Sequence, residues 1–372
     1  MAVKKILLLR DFREDQRISM EIYGDHLLGA LQEQGAEGIK FADYRPQLAS
    51  LTKRLPNRAN LRMRTARYLD YPRQVRGMRA NLYHVLDHGY AHLMQVLPTA
   101  RTLVTVHDLI PILAGRGQID GLKKHRRSWL AEWSARFYAK AAHLIAISEN
   151  TKRDLVEHCG CAEEQISVIY SGISERYHPQ AELSSADLRR KLNLPRSGWL
   201  VLITGDAFYK NQTTSLRVME QLWQRYPREL FLVRLGRDTA EWQALYQQAT
   251  RKEQILSLAY LDPSAMPDLY RAVDCLLFPS WYEGFGWPPV ESMACGTPVV
   301  ASQAASLPEA VGKGGILAPP EDVDALAQGV ERLLTDQTFR KQQIERGFAQ
   351  AARFRWEKTA RQVFNLYQKL LS

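Results

Sequence analysis

The stretch Phe278-Pro-Ser-Trp-Tyr-Glu283-Gly-Phe-Gly286-Trp-Pro-Pro-Val-Glu291 carries the clearest structural signal in this chain. The apolar run that ends at Phe278 predicts a buried strand, and Pro288 suits the first turn of a following helix. The glycines between them let a ligand approach the backbone closely. A loop that leads into a helix N-terminus predicts an anion site, because the first N–H groups of a helix have no intrahelical partner.

This segment contains two carboxylates: Glu283 lies in the loop, and Glu291 lies early in the predicted helix. Carboxylates accept hydrogen bonds from hydroxyl groups, so two of them beside an anion site suit a sugar attached to a phosphate. The alternative is a capped helix whose acidic residues favour its dipole. The residues alone leave both interpretations open.

A second loop, Gly205–Gln212, follows another apolar run and precedes a helix predicted from about Thr213. This order places Lys210 beside a helix N-terminus, with Asn211 or Thr213 as the capping residue. A lysine there can stabilise an anion, although such a residue is also common on a solvated surface.

Short apolar runs alternate with longer amphipathic stretches along most of the chain. Runs of this kind, rich in Val, Ile and Leu, are typical of strands covered on both faces, and the alternation predicts parallel doubly wound α/β sheets. The predicted strands are 6–9, 82–86, 103–106, 144–147, 166–170, 200–204, 230–235, 275–278 and 299–301.

The 372 residues favour two domains. The stretch Gly172–Ser185 lacks an apolar period and is the predicted linker, so we expect domains over 1–180 and 181–355, followed by an amphipathic helix over 356–372. Ligands of open α/β sheets bind at the carboxyl ends of the strands, which predicts a cleft between the two domains.

The whole pattern resembles the retaining family-4 glycosyltransferases, which have the GT-B fold of two facing Rossmann-like domains. The resemblance rests on Glu283 and Glu291 with seven residues between them and on the Met-Ala-Cys-Gly-Thr-Pro-Val-Val that follows. It covers about 100–372 and implies that the last helix crosses back to the first domain. Further matching stretches are 105–109, 146–152, 168–173, 269–274, 304–309, 315–322 and 354–357.

The resemblance implies a role for each residue of the glycine loop. Glu283 matches the carboxylate that binds hydroxyls of the donor sugar. Gly284, Phe285 and Gly286 match the loop whose amides meet the sugar and the distal phosphate. Glu291 matches the residue that holds the ribose hydroxyls of the nucleotide.

In the second loop, the resemblance assigns Lys210 to the donor diphosphate, with Gly205 and Asn211 beside it. It places His107 near the outer hydroxyls of the donor sugar, as an orienting residue whose role as a general base is left open. No metal or other cofactor is expected, because lysine and helix-end amides neutralise the diphosphate in this family.

One feature of the family is missing. Many relatives carry an arginine a few residues before the lysine, where this chain has Asp206-Ala-Phe-Tyr209. Arg234 and Arg237 are candidates for the missing charge.

The charge of the chain is concentrated in its first half. The net charge is +10, and residues 1–180 hold 27 Lys and Arg against 19 Asp and Glu. Nine of these bases lie within 53–79, where Leu61, Thr65, Tyr68 and Leu69 are predicted to share one helix face. A basic amphipathic helix suits an anionic membrane surface or the acceptor side, and a solvated basic face is the alternative. The candidate residues are Arg58, Arg62, Arg64 and Arg67.

The expected function is therefore retaining transfer of a hexose, with mannose favoured, from a nucleotide-diphosphate sugar to a glycan or lipid-linked acceptor in cell-surface polysaccharide synthesis. A UDP-dependent glucosyl- or N-acetylglucosaminyltransferase is the alternative. A sugar-nucleotide epimerase and a basic nucleic-acid-binding Rossmann protein are the alternatives of another class, and nucleic acid is not an expected partner because no binding motif is present. The short apolar start and the absence of a spanning run predict a cytoplasmic protein, peripheral on the inner face of the plasma membrane in the further hypothesis.

Overall fold

The computed structural model describes residues 3–35, 38–56, 60–126, 128–180 and 182–372. The chain forms two compact units. Unit 1 comprises 1–118, 124–172 and 355–372, and unit 2 comprises 119–123 and 173–354. The main crossing into unit 2 lies between Gly172 and Ile173, at the start of the predicted linker, and the chain returns to unit 1 at Arg355.

The strands and helices are numbered in chain order. The strands are β1 (Lys4–Leu9), β2 (Ile39–Tyr44), β3 (Leu82–Val85), β4 (Thr102–Val106), β5 (His143–Ala146), β6 (Ile166–Val168), β7 (Trp199–Thr204), β8 (Leu230–Leu235), β9 (Ile255–Leu258), β10 (Cys275–Phe278), β11 (Val299–Ser302) and β12 (Ile316–Ala318). The α-helices are α1 (Ile18–Glu33), α2 (Ser50–Lys53), α3 (Leu61–Thr65), α4 (Tyr71–Val75), α5 (Ile110–Arg116), α6 (Trp129–Ala135), α7 (Glu149–Cys159), α8 (Ser185–Lys191), α9 (Gln212–Arg225), α10 (Ala240–Gln248), α11 (Met266–Ala272), α12 (Trp287–Ala294), α13 (Leu307–Val311), α14 (Val323–Thr335), α15 (Gln337–Ala351) and α16 (Trp356–Leu371). A π-helical segment spans Ala66–Asp70, and the 3₁₀ segments are Arg13–Asp15, His88–Gln95, Thr99–Arg101, Tyr138–Lys140, Glu163–Gln165, Phe208–Lys210, Lys252–Gln254, Pro263–Ala265 and Gly312–Gly314.

Unit 1 is built on a parallel sheet whose described strands run in the order β2-β1-β3-β4-β5-β6. The register places Leu9 at the end of β1 opposite Val85 at the end of β3. Helices α1 and α16 pack together on this unit. The Tyr367 hydroxyl of α16 lies 2.6 Å from Nδ1 of the buried His84 in β3, which fixes the last helix to the sheet.

Unit 2 repeats this architecture, with described strands in the parallel order β12-β11-β10-β7-β8-β9. Its central strands are covered on both faces, so they are apolar throughout; Leu200, Val201, Leu202, Leu276 and Leu277 are all buried. Helices α9 and α14 pack together on one face of the sheet, where their apolar residues meet those of β7 and β8 in one core.

The predicted fold class is confirmed: both sheets are parallel and doubly wound. The strand predictions are also confirmed, with bounds that shift by up to two residues. Three strands went unpredicted, β2, β9 and β12, and each lies at the edge of its sheet.

The basic stretch differs from the prediction of one amphipathic helix. It folds as α3, a π-helical segment and α4, so the 3.6-residue period breaks at Ala66. Tyr68 turns inward against His92 and Trp133, whereas Leu61 and Leu69 stay exposed. Within the described ranges, no helix is both long and apolar enough to cross a bilayer.

Candidate functional site

The candidate site lies at the centre of the second sheet. From β7 the chain winds outward to β8 and β9, and it then returns to β10 on the other side of β7 before it winds outward to β12. The two loops that follow β7 and β10 therefore leave neighbouring strands in opposite directions. Parallel sheets bind ligands at such a switch point.

An ion pair joins the two loops at this point. The Lys210 ammonium donates to Oε1 of Glu283 at 2.7 Å, and the two side chains are only 14% and 10% exposed. The same ammonium lies 4.6 Å from the ring centre of Phe278 and 5.3 Å from that of Tyr209. A cation and a carboxylate held side by side can bind an anion and a hydroxyl group of one ligand.

Gly205 is required by the close approach of the lysine. Its φ is +89°, and a Cβ atom there would lie 2.9 Å from Cε of Lys210. Its carbonyl accepts a hydrogen bond from the Gln212 side chain at 2.6 Å. The glycine thus lets the lysine stem fold back across the end of β7.

Asn211 fastens the first loop to its neighbours. Its side-chain amide donates to the carbonyl of Pro279 at 2.9 Å and to that of Pro320 at 2.8 Å. Its side-chain oxygen caps α9 by accepting from the Thr214 amide at 3.3 Å. The resemblance assigns Asn211 to the donor; in the structure its side-chain amide donates to these two backbone carbonyls.

A serine side chain holds the backbone of the loop that follows β10. The Ser306 hydroxyl lies 2.8 Å from the carbonyl oxygen of Glu283 and 3.0 Å from that of Phe285, and it donates to them. Gly286 has a φ of +110° and is the N-cap of α12, so Gly284 and Phe285 lie at the start of this helix. The predicted amide loop therefore stands where the positive end of the helix dipole lies.

Glu291 lies in the second turn of α12. It accepts a hydrogen bond from the Tyr270 hydroxyl at 3.1 Å. Burial of its carboxyl raises the pKa of Glu291 to about 7, and the hydrogen bonds from Tyr270 and Tyr177 oppose this rise. The two tyrosines and Ser306 were not identified from the sequence as site residues, although Tyr270 and Ser306 lie within stretches that carry the resemblance.

The missing arginine is not replaced by Arg234. Its guanidinium is fully buried, lies 4.4 Å from the centre of the Trp242 ring, and donates to the carbonyls of Gly236 and Arg237. Arg237 is 83% exposed and pairs with Asp206 at 2.6 Å. Of these two candidates, Arg237 alone presents its charge at the surface of this edge.

His107 follows β4 in unit 1, and it is described there by itself. The ring is buried, and its Nε2 donates to the carbonyl of Leu86 at 2.8 Å. Burial lowers the pKa of His107 to about 4. The imidazole is therefore neutral near pH 7, and only Nδ1 retains a lone pair that can accept a proton.

The switch point of the first sheet carries a group of charges that the sequence did not reveal. Asp11 follows β1, Asp87 follows β3, and Arg17 pairs with Asp87. Burial and the neighbouring Asp87 raise the pKa of Asp11 well above its usual value. The guanidinium of Arg17 opposes the burial of Asp87 and holds the pKa of that carboxyl well below its usual value.

The four arginines predicted for a membrane or acceptor surface have different surroundings. Arg67 is a correction: it pairs with Asp15 at 2.6 Å and lies 5.4 Å from the Tyr90 ring centre, because the π-helical segment turns it inward. Arg62 donates to a backbone carbonyl at 2.9 Å. Arg64 is exposed, and Arg58 lies outside the described residues.

Comparisons with known proteins agree with this architecture. Residues 20–176 match the model of glycosyltransferase family 4, and residues 184–350 match that of the glycosyl transferases group 1. O-antigen chain mannosyltransferase B of Escherichia coli is 33% identical over 232 residues, which cover 61% of this chain and 60% of that protein. The chain therefore spans less than two thirds of that relative's length.

Solved structures share the fold over nearly the full length. Sucrose-phosphate synthase from Thermosynechococcus elongatus superposes with a TM-score of 0.76 at 21% identity, with 99% of each chain covered. Anabaena HepE in complex with UDP-glucose gives a TM-score of 0.71 at 17% identity, with 98% of this chain and 99% of that chain covered. The two family models show that the chain belongs to the family-4 group 1 glycosyltransferases, and the two parallel sheets and these neighbours show that it has their two-domain, Rossmann-like GT-B fold.

Proposed function

We propose that the protein is a retaining glycosyltransferase that moves a hexose from a nucleotide-diphosphate sugar to a glycan or lipid-linked acceptor in polysaccharide synthesis. The observation that carries this proposal is the Lys210–Glu283 pair at the switch point of the second sheet, beside the start of α12. A diphosphate needs a cation and amide donors, and a sugar needs a carboxylate that accepts from its hydroxyls.

In this proposal, each group of the site acts on a different part of the donor. Lys210 releases Glu283 and binds the diphosphate, where its charge stabilises the leaving group as the glycosidic bond breaks. Glu283 then accepts hydroxyls of the sugar, and Glu291 accepts those of the ribose. The acceptor attacks from the face that the diphosphate leaves, and the departing phosphate takes its proton, so the anomeric configuration is retained.

Mannose from GDP-mannose is the proposed donor. The support is the 33% identity with a protein named as an O-antigen chain mannosyltransferase, which spans both units of this chain in part. A UDP-sugar is the alternative donor, because Anabaena HepE has been solved with UDP-glucose. That structure is only 17% identical, so sequence similarity favours mannose.

Titration of the protein with GDP, UDP, GDP-mannose and UDP-glucose tests the donor. We expect the two guanine nucleotides to bind more tightly, and Glu291→Ala to weaken GDP binding by about 1–3 kcal/mol through loss of a charged hydrogen bond. Preference for the uracil nucleotides would establish the alternative donor. Binding of none of them would refute the proposed function.

Retention is tested on the product. The purified protein is incubated with GDP-mannose, which carries an α-linked sugar, and mannosyl acceptors of increasing length. The anomeric proton–carbon coupling of the product is then read by NMR. An α-linked product supports retention, and a β-linked product refutes it.

We further propose that unit 1 binds anionic membranes through the surface around α2 and α3. Leu51 and Leu61 are 78% and 44% exposed, and the neighbouring Lys53, Arg54 and Arg64 are exposed as well. Each base near an anionic leaflet contributes about 1 kcal/mol. Co-sedimentation with phosphatidylglycerol vesicles should fall with salt and with Lys53→Ser/Arg54→Ser/Arg64→Ser, and equal binding to neutral vesicles would exclude this surface.

A further inference from the structure

Two tyrosines from different segments of unit 2 hold the carboxyl group of Glu291. The Tyr270 hydroxyl, on α11, donates to Oε2 of Glu291 at 3.1 Å. Tyr177 lies in the segment that enters unit 2, and its hydroxyl faces the same carboxyl and lowers the pKa of Glu291. The two rings pack edge to face with their centres 6.0 Å apart, and both are buried.

Arg176 extends this network by one more hydrogen bond. Its Nη2 donates to the Tyr177 hydroxyl at 3.2 Å, and its Cζ lies 5.1 Å from the centre of that ring. A hydroxyl that accepts from a guanidinium becomes a stronger donor, because hydrogen bonds in a chain polarise one another. The chain from Arg176 through Tyr177 therefore ends on the carboxyl of Glu291.

The geometry leaves room on the carboxylate for a ligand. An ionised carboxylate offers about four acceptor positions on its two oxygens. The Tyr270 hydroxyl occupies one position of this set, and the Tyr177 hydroxyl faces the same group. The remaining positions suit a ligand that presents two adjacent hydroxyls, as a ribose does.

We propose that Tyr177 and Tyr270 are positioning residues, which hold Glu291 in the orientation that recognises the 2′,3′-diol of a ribonucleotide. This inference rests on the proposed function, because it concerns the same donor site. It adds a source of selectivity for ribose over deoxyribose. This selectivity comes from two tyrosines that do not themselves touch the nucleotide.

The same network makes this recognition depend on pH. Burial raises the pKa of Glu291 to about 7, while the two tyrosine hydroxyls and the Arg176 charge lower it. Cys295 also faces Glu291, but its own pKa is raised to about 12, so it carries no charge near neutrality. The carboxylate is the better acceptor for two hydroxyls, so affinity falls as pH drops below about 7, and removal of a tyrosine hydroxyl moves this fall to higher pH.

The experiment compares GDP with 2′-deoxy-GDP by titration calorimetry from about pH 6 to pH 9. The variants are Tyr177→Phe, Tyr270→Phe and the double variant, which keep the rings and remove only the hydroxyls. Tyr226→Phe is the matched control, because Tyr226 donates to the carboxylate of Glu331 at 2.9 Å elsewhere in the same unit. Thermal melting confirms that each variant folds, and Tyr177→Phe carries the test if Tyr270→Phe does not fold.

We expect each single variant to bind GDP about 3–10-fold more weakly at neutral pH, which is the size of one ordinary hydrogen bond, because the lost hydroxyl acts on the ligand only through the orientation of Glu291. Much of the loss should return near pH 9, and discrimination against 2′-deoxy-GDP should shrink. Tyr226→Phe should match the wild type. If UDP is the better ligand, UDP and 2′-deoxy-UDP replace the guanine pair.

Two results overturn the inference while the proposed function stands. The first is wild-type binding with unchanged discrimination between ribose and deoxyribose in both tyrosine variants. The second is an equal loss of affinity at every pH, which would indicate a purely structural role. Failure of the wild type to bind any nucleoside diphosphate would instead overturn the proposed function and this inference together.

Discussion

Removal of the Lys210 charge is expected to lower both the stability of unit 2 and the rate of transfer. A second substitution, at Glu283, is expected to restore only the stability. Lys210→Met keeps the aliphatic stem against Phe278 but leaves Glu283, which is 10% exposed, without its cation. An unsatisfied charged group of this kind costs about 1–3 kcal/mol. For a unit of this size, the melting temperature should therefore fall by about 2–12 °C.

The double variant distinguishes a true pair from two independent residues. In Lys210→Met/Glu283→Gln, an uncharged amide replaces the unpaired carboxylate, so most of the lost stability should return. Turnover should not return. Loss of a preorganised charge at the leaving group costs about 10²–10³ in rate, and the double variant lacks that charge as well.

The assay pairs differential scanning calorimetry with release of the nucleoside diphosphate from the donor. Lys191→Met is the matched control, because Lys191 also pairs with a carboxylate at 2.8 Å, that of Asp268, but is 54% exposed. Its melting temperature and turnover should match the wild type. Additive losses of stability in the double variant, or full turnover in Lys210→Met, would refute this reasoning.

Three further predictions concern the surroundings of the site and unit 1. Gly205→Ala should weaken binding of the nucleoside diphosphate in titrations, because the added Cβ would lie 2.9 Å from Cε of Lys210 at a φ of +89°. Ser306→Ala should reduce turnover more than donor affinity in steady-state kinetics, because the carbonyls of two loop residues lose the hydroxyl that donates to them. Equal effects on turnover and on donor affinity would contradict this prediction. The pKa values of His84 and His107 are lowered to about 3 and about 4, below the usual value near 6.5, so the stability they contribute is complete above about pH 6.5 and is lost as pH falls toward 4. Unit 1 should thus melt at lower temperature at pH 5 than at pH 7 in calorimetry, and an unchanged transition would count against buried neutral histidines.

The sequence predicted every central strand and one edge strand, β6, and it missed the other three edge strands. A strand covered on both faces must be apolar throughout, as β7 and β10 are, and such runs are easily recognised. The missed strands β2, β9 and β12 lie at the edges, where each keeps partly exposed residues. The sequence of β2 mixes polar and apolar residues, and β9 and β12 are only four and three residues long, so none of the three gives the apolar run that marks a central strand.

Site residues could be predicted where one continuous segment contains the motif. Contacts between segments that are distant in sequence could not be predicted. Glu283 and Lys210 lie in the loops that follow β10 and β7, and Glu291 lies in the helix that follows the first of these loops, so their types and positions could be read from the sequence. The contacts that orient them could not, because Tyr177 and Tyr270 come from separate segments and Ser306 lies 23 residues from Glu283. Arg67 shows the opposite error: helical spacing placed it outside, but the π-helical segment turns it toward Asp15.

Several polar side chains around the site bind the protein backbone. These contacts hold the loops that, in the proposed function, bind a charged ligand. Asn211 of the first loop and Ser306 donate to backbone carbonyls of the loop after β10, at Pro279, Glu283 and Phe285, and so hold that loop in place. In the proposed mechanism, Lys210 and Glu283 exchange their mutual ion pair for contacts with the ligand. An ion pair that opens toward a diphosphate and a sugar replaces one set of charge-assisted hydrogen bonds with another, so the cost of ligand binding is confined to one pair.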